Sequence, residues 1–523
     1  MKKTLLFLLL CLFLSSCGWF NTKPEIATLL SKHFDNKLYE KFDTVVYDSV
    51  FVEKLGKLSN KLSNPKVTTA FYAANRNNPV LTTRFFTNGG FDTLKNYIAN
   101  ADADGFNPEV FHLKTINELL AKLNANNFKN IAEVYPVLAE LEITAADALL
   151  RYTNYMKYGA VNPRKIFNRF YINIKRSDSL KMDSILNSTD LVTVLKDVQP
   201  QAKSYIDLKR QLAFYNDSSQ NSHAVKTIKL NLERLRWQLP IEAEEIVRVN
   251  IPDFSLTWFK NNDTLAHMNV CVGAKREAAY AEKMKLFSKS GKLDDKPINH
   301  ETPQLVSVFN AIQVNPVWNI PVSIAQSEIY WKARSDRYYL SNSNIKVYYK
   351  GKLIGEPDTI QWSKYSRDKL PFQFKQGSGD QNALGKFKFV FDNSSSIYLH
   401  DTNNKSGFKL KNRAISHGCV RIEKPLEFAQ LMVRSKNQYD DLRIEVNLPP
   451  IDSNKMGQYK KKLAKRIDTL KAFQLKPAWF STRKNVAVVT DYFTAWAENG
   501  KVEFRPDVYE YDEILWAALK KYM

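Results

Sequence analysis

Near residue 245 the hydrophobic pattern of this 523-residue chain changes its period, and that change limits the folds open to it. Before it, "FDTLKNYIANADADGF" and "PVLAELEITAADALLRYTNYMKYGA" repeat apolar residues three and four apart, the spacing of one helix face. "IKLNLERLRWQL" (Ile228–Leu239) carries the helical signal up to Pro240. After it, "EEIVRVNIPDFSLTWF" alternates, and strand-like runs continue in "LAHMNVCVGA", "NIKVYYKGKL", "GKFKFVF", "SIYLHD" and "DLRIEVNL". The two periods bury different surfaces, so the fold class is α+β, with a helical domain over 46–244 and a mainly antiparallel β domain over 245–447. A chain this long also exceeds what one core can serve. The stretch 323–376 mixes short elements and is expected to be an insertion folded over the β domain's site. After Pro449-Pro450 come a Lys-rich helical segment, a hairpin turning at Asn499-Gly500 and a last helix. This C-terminal segment, 448–523, is expected to pack on the helical domain.

The first residues read as an export signal. Lys2 and Lys3 precede the apolar run Leu5–Leu14, which is too short to cross a bilayer as a mature helix. "LSSC" (Leu14–Cys17) then places small residues before a Cys and a Leu three positions upstream, which resembles a bacterial lipoprotein box. The resemblance implies that 1–16 is a signal peptide, that Cys17 is lipidated, and that 17–45 is a tether. The protein is then expected to be periplasmic and attached to a bacterial membrane through its lipid anchor. The formal net charge of +22 suits an anionic partner. Export argues against nucleic acid, and the lysines are scattered rather than blocked.

Cysteine usage narrows the chemistry. Without Cys11 and an acylated Cys17, only Cys271 and Cys419 remain, too few for a disulfide framework and without metal-ligand spacing. Cys271 lies within an alternating apolar run and reads as a small core residue. Cys419 opens "CVRI" after a glycine, and His400 ends the apolar run "SIYL". Adjacent strands linked by a loop can bring such an imidazole to such a thiol, and a neighbouring base makes a thiol a nucleophile. Gly418 permits an unusual backbone, and N–H groups near Gly418 and Cys419 are candidates for holding an oxyanion. In a strand, Arg421 shares a face with Cys419, and Tyr398 shares one with His400.

"IYLHD" followed by "SHGCVR" closely resembles the active-site signature of L,D-transpeptidases: a His, a loop, then Ser-x-Gly-Cys-x-Arg. Every fixed position is filled, by His400, Ser416, Gly418, Cys419 and Arg421. "NLERLRWQLP", "IVRVNIPDFSL", "NPVWNIPVSI", "GSGDQNALGKFKFVF" and "TDYFTAWAENGKVEFRPDVYEYD" look like the large, scaffold-bearing branch of that family. In one respect the chain departs from it. "FYNDSSQNSHAVKTIKLNLERLRW" leaves no room for the peptidoglycan-binding module that larger relatives insert there.

The resemblance implies a helical scaffold domain and a catalytic domain with a capping insertion. It makes Cys419 the nucleophile and His400 its base. Ser416, His417 and Gly418 are then expected to support the loop and oxyanion hole, and Arg421 and Tyr398 to bind substrate. The reaction joins diaminopimelate residues of two peptidoglycan stems: a tetrapeptide donor loses its terminal D-Ala to the thiol, and the amine of a second stem takes the acyl group. No metal and no organic cofactor is needed, and carbapenems are expected to acylate the thiol. A monomer is expected. Asp401 is not expected to act as a triad acid, because the next strand residue points to the opposite face. Water or a protein lysine as acceptor gives the alternative outcomes of hydrolysis or protein attachment on the same site. A non-catalytic wall-binding lipoprotein is the remaining alternative. A papain-type protease fails on order, because there Cys precedes His.

Overall fold

The computed structural model describes residues 23–216, 222–261, 263–467 and 475–523. Cys17 and the signal segment lie outside the described residues. The expected α+β architecture is present: helices fill the chain to Arg236, and the first strand begins at Glu245.

The helical body surrounds one 25-residue helix, Val134–Tyr158, which is buried on nearly every side. Such a helix must satisfy the polar groups it carries inside. Glu142, fully buried, accepts the hydroxyl of Tyr72 (2.8 Å) and the N–H groups of Leu81 (3.0 Å) and Thr82. Asp147, equally buried, accepts from Ser63 and Arg151 and pairs with His112. One expectation is corrected here. Within the 17–45 stretch read as a tether, a helix spans Glu25–Phe34, and Ile26, Leu30, Tyr39 and Phe42 enter the helical core. Their apolar spacing gives that segment a face to bury, so the described part of the stretch is an integral layer of the domain.

The segment "NLERLRW" joins the two bodies. It ends the helix Ser222–Arg236, whose Glu233, Arg234 and Arg236 are all buried. Arg234 pairs with Asp512 (2.6 Å), Arg236 with Glu233 (3.4 Å), and Asn231 bonds Thr494 (2.9 Å). Charges placed out of water in this way hold only while paired, so the segment fixes how the domains meet.

The β body contains β1 (Glu245–Asn250), β2 (Ser255–Lys260), β3 (Asp263–Gly273) and β4 (Leu305–Val314). An insertion supplies β5 (Trp318–Ile320), β6 (Ile345–Tyr349), β7 (Lys352–Leu353) and β8 (Phe372–Gln376). Then follow β9 (Phe387–Phe391), β10 (Leu399–His400), β11 (Ala414–Ser416), β12 (Val420–Ile422), β13 (Ala478–Ser481) and β14 (Val486–Asp491). The main sheet runs β11-β3-β12-β10-β9-β4-β14-β1-β2, and β2 also pairs β3, so the path from β3 to β2 closes on itself. Closure leaves those strands without free edges and encloses Val247, Trp258, Val314, Phe389 and Leu399 in one core. Pairing is mostly antiparallel, with parallel contacts at β1–β14, β10–β12 and β11–β3.

The insertion folds β5-β8-β6-β7 into a separate sheet with its own core around Leu340, Val347, Trp362 and Phe374. "NIKVYYKGKL" belongs to this small sheet. Two further expectations change. "DLRIEVNL" is not a strand: it lies mostly in the helix Lys436–Glu445, which buries Tyr439, Leu442 and Ile444 at helical spacing. The C-terminal segment does more than cover the scaffold. β14, buried at every position, sits between β4 and β1 in the middle of the sheet. The hairpin β15 (Ala495–Glu498)–β16 (Lys501–Phe504) and the last residues meet the helical body through Ala497, Val502 and Phe504 and through Tyr522 and Met523. The helix Tyr511–Leu519 packs on Ser222–Arg236, where Asp512 meets Arg234.

Candidate active site

Strand register places the chemistry. β10 and β12 lie parallel, with Leu399 opposite Val420 and His400 opposite Arg421. Leu399 and Val420 are fully buried in the barrel core, so alternation turns Tyr398, His400, Cys419 and Arg421 onto the outer face together. The neighbouring strands extend the row: Lys388 of β9 lies opposite His400, and Cys271 of β3 opposite Arg421. Cys419 is partly exposed at the strand entrance and His400 is 5% exposed.

The imidazole is held by backbone. Nδ1 of His400 lies 2.5 Å from the carbonyl of Asp401, an acceptor, so Nδ1 carries the proton and Nε2 is left as the base. The Asp401 carboxylate is spent elsewhere, on the N–H groups of Lys386 (2.8 Å) and Thr402 (2.7 Å) and on Lys405 (2.5 Å). Burial, reinforced by the Arg421 charge, pushes the His400 pKa down to about 3. The ring is therefore neutral at physiological pH.

The thiol's surroundings are mixed. Burial raises the Cys419 pKa, while the N–H and hydroxyl of Tyr398 and the charges of Lys388 and Arg421 act in the other direction. Sγ is 4.0 Å from the carbonyl of Ser396. Among the described hydrogen bonds none joins the thiol to His400; the two are diagonal neighbours on adjacent strands. Neutral thiol beside neutral imidazole is thus the resting pair, and proton transfer accompanies attack. A pH consequence follows. Acylation of Cys419, timed by mass spectrometry, should show no inflection near the ordinary imidazole value of about 6.5, and should decline only toward about pH 3. A base titrating near neutrality would contradict this setting of His400.

The loop before the sulfur is built from its own signature residues. Ser416, 3% exposed, donates from Oγ to the Cys419 carbonyl (2.5 Å) and accepts the N–H of Gly418 (3.1 Å). That bond occupies the Gly418 N–H, which was a candidate oxyanion donor. Among the described hydrogen bonds none uses the N–H of Cys419, so that group remains for the role. Gly418 has φ +120°, and a Cβ there would lie 3.3 Å from Ile397 Cδ1 and 3.4 Å from the His300 carbonyl. Its own carbonyl accepts Thr302 Oγ1 at 2.8 Å.

His417 is not part of that support. It is exposed, pairs through Nε2 with Glu328 of the insertion, and lies with its ring 4.6 Å from His300. The pairing with His417 brings the Glu328 pKa down to about 2. Arg367 of the insertion makes a second tie, to Asp294. The Arg421 side chain makes no described hydrogen bond, and its Nε is buried without a partner. Cys271 is 1% exposed beneath Gly407, and burial raises its pKa, which leaves it a poor nucleophile.

Lys388 escaped the sequence reading. Its Nζ stands 4.0 Å over the Tyr398 ring, and its charge opposes the rise in the Cys419 pKa. In "GKFKFVF" the buried Phe387, Phe389 and Phe391 put Lys388 on the outer face, but only the β9–β10 register sets it beside His400. Among the described residues no group of three or more His, Cys, Asp or Glu is placed to hold a metal. Nor is any described helix long and apolar enough to cross a membrane.

Comparison with known proteins agrees with the two-body architecture. Residues 66–212 match the scaffold domain family, and residues 244–445 match the L,D-transpeptidase catalytic domain family. A curated protein of Haemophilus influenzae, named "Putative L,D-transpeptidase", is 27% identical over 346 residues, covering 65% of this chain. The match spans 60% of that relative's length.

Proposed function

We propose that this protein is a peptidoglycan L,D-transpeptidase that forms crosslinks between diaminopimelate residues through an acyl-enzyme on Cys419, acting in the periplasm from a lipid anchor at Cys17. The observation that carries the reading is one sheet face on which thiol, imidazole, Tyr398 and Arg421 converge inside a catalytic-domain match.

Sγ of Cys419 attacks the carbonyl carbon between the diaminopimelate L-centre and the terminal D-Ala, and its proton passes to Nε2 of His400. The oxyanion forms against the Cys419 N–H. The C–N bond breaks, His400 protonates the departing amine, and a thioester remains. The amine of a second stem then attacks the thioester, loses a proton to His400, and the thiol is restored. Arg421, an unpaired guanidinium beside the imidazole, takes a stem carboxylate in its fork. Tyr398 and Lys388 stabilise the sulfur's negative charge in passing. The insertion, tied down by Glu328–His417 and Arg367–Asp294, screens the thioester from water and so favours the amine.

Purified chain incubated with tetrapeptide muropeptides should release D-Ala and yield crosslinked dimers, identified by mass spectrometry. A carbapenem adduct should map to Cys419 and vanish in Cys419→Ala. Tripeptide alone would mean water is the acceptor. An adduct that persists in the variant would remove Cys419 from the mechanism.

A further inference from the structure

The helical body carries an open cavity of about 820 Å³, within the range of pockets that take small ligands. It opens where the long helix Val134–Tyr158 ends, between the turn Pro108–Phe111 and the chain's last residues. The C-terminus is fixed there by a bond from the Asn107 N–H to the Tyr522 carbonyl (3.0 Å), and the Tyr155 and Tyr522 rings lie 5.3 Å apart. No residue of the catalytic face contributes to its lining.

Its charge is lopsided. Arg151, Arg176 and Lys521 line it, against the single carboxylate of Glu109. Arg151 and His112 are already answered by the buried Asp147. Arg176 is different. Its guanidinium donates to the carbonyls of Gly159 (2.8 Å) and Val161, and no carboxylate pairs with it among the described ion pairs. Burial lowers its pKa, and the nearby Glu233 carboxylate opposes that fall without touching the guanidinium among the described ion pairs. Lys521, exposed, stands 4.9 Å over the Tyr522 ring and likewise makes no described ion pair. Around Arg176, the side-chain oxygens Asn154 Oδ1 and Ser177 Oγ are buried without partners. A guanidinium with no carboxylate in direct contact, the unpaired Lys521, the Ser177 hydroxyl and the wall of Tyr155, Tyr158 and Tyr522 together describe a site for a carboxylate. Asn154 Oδ1, an acceptor, suits an N–H of the same ligand.

We propose that this cavity binds a carboxylate-bearing peptide, a stem of the wall polymer distinct from the one at Cys419. The proposal rests on the peptidoglycan reading of Cys419 and supplies what the missing inserted module would otherwise provide. Holding one stem in the helical body raises the local concentration of its neighbours at the catalytic face, because binding of the second becomes intramolecular.

The test uses the full chain and a soluble tetrapeptide bearing a photoreactive group, with adducts mapped by mass spectrometry, alongside retention on insoluble peptidoglycan. Label is expected in two clusters, one near Cys419 and one among residues 151–182 and 521–522. Arg176→Gln and Lys521→Glu should each lose the second cluster and weaken retention roughly tenfold, while Arg176→Lys and Lys521→Arg recover much of it. Lys521 is exposed, so its reversal tests the site even if Arg176→Gln disturbs the fold. Label confined to the catalytic face, or retention unchanged by either reversal, overturns the proposal. Release of D-Ala by the unaltered chain reports separately on Cys419. Label in the cavity without D-Ala release would leave the binding site standing and remove the transfer reaction.

Discussion

His400→Ala should cut the rate of acyl-enzyme formation by roughly 10²- to 10⁴-fold, the usual worth of a positioned general base. In the resting pair both partners are neutral, so removing the imidazole removes the acceptor for the thiol proton and leaves a thiol whose pKa is already raised. The remaining activity should climb with pH, because hydroxide then does what Nε2 did. The readout is the pH dependence of Cys419 acylation in both proteins. The native profile should be level through neutrality and the variant's should rise steadily toward alkaline values. The change also strands the Asp401 carbonyl that Nδ1 now satisfies, a stability loss of about 1–3 kcal/mol. A melting curve separates that loss from the kinetic one. If the variant keeps its rate within tenfold and its profile unchanged, some other group takes the proton.

Gly418→Ala should lower turnover by about 100-fold while the protein stays folded. At φ +120° a Cβ costs on the order of 1–3 kcal/mol in backbone strain. The nearest atoms are Ile397 Cδ1, a side-chain end that can give way, and a backbone carbonyl at ordinary contact distance. The cost therefore lies in the backbone angle itself and is relieved by a shift of the loop. That shift moves the Cys419 N–H and Sγ together, and a displacement near 1 Å is enough for such a loss. kcat should fall more than binding of a non-reacting stem peptide. Full turnover in this variant would mean that the Gly418 backbone does not set the geometry of attack.

Much of the site can be read along the chain because its residues are neighbours in sequence. "SHGCVR" holds Ser416, Gly418, Cys419 and Arg421 in one loop and strand, so their spacing survives folding almost unchanged. "SIYLH" does the same for Tyr398 and His400 through the period of a strand. Where the reading fell short, the deciding partner was remote. His417 is adjacent to the signature, yet its contacts are Glu328 and His300, from other parts of the fold. The Gly418 N–H looked free until Ser416 folded back to take it. "DLRIEVNL" has strand-like residue types, but the helix before it continues through Glu445 and buries the same apolar groups.

By itself the sequence determined the two periods, hence a helical body followed by a β body, and the local order of the reacting groups. Those are properties of consecutive residues, set by alternation and by helical spacing. Only the tertiary structure decided that Lys388 stands beside His400, that β14 from the far end of the chain completes the barrel, and that Arg176 and Lys521 share one cavity. Those are matters of register and closure between segments far apart in the chain, and no local preference encodes them.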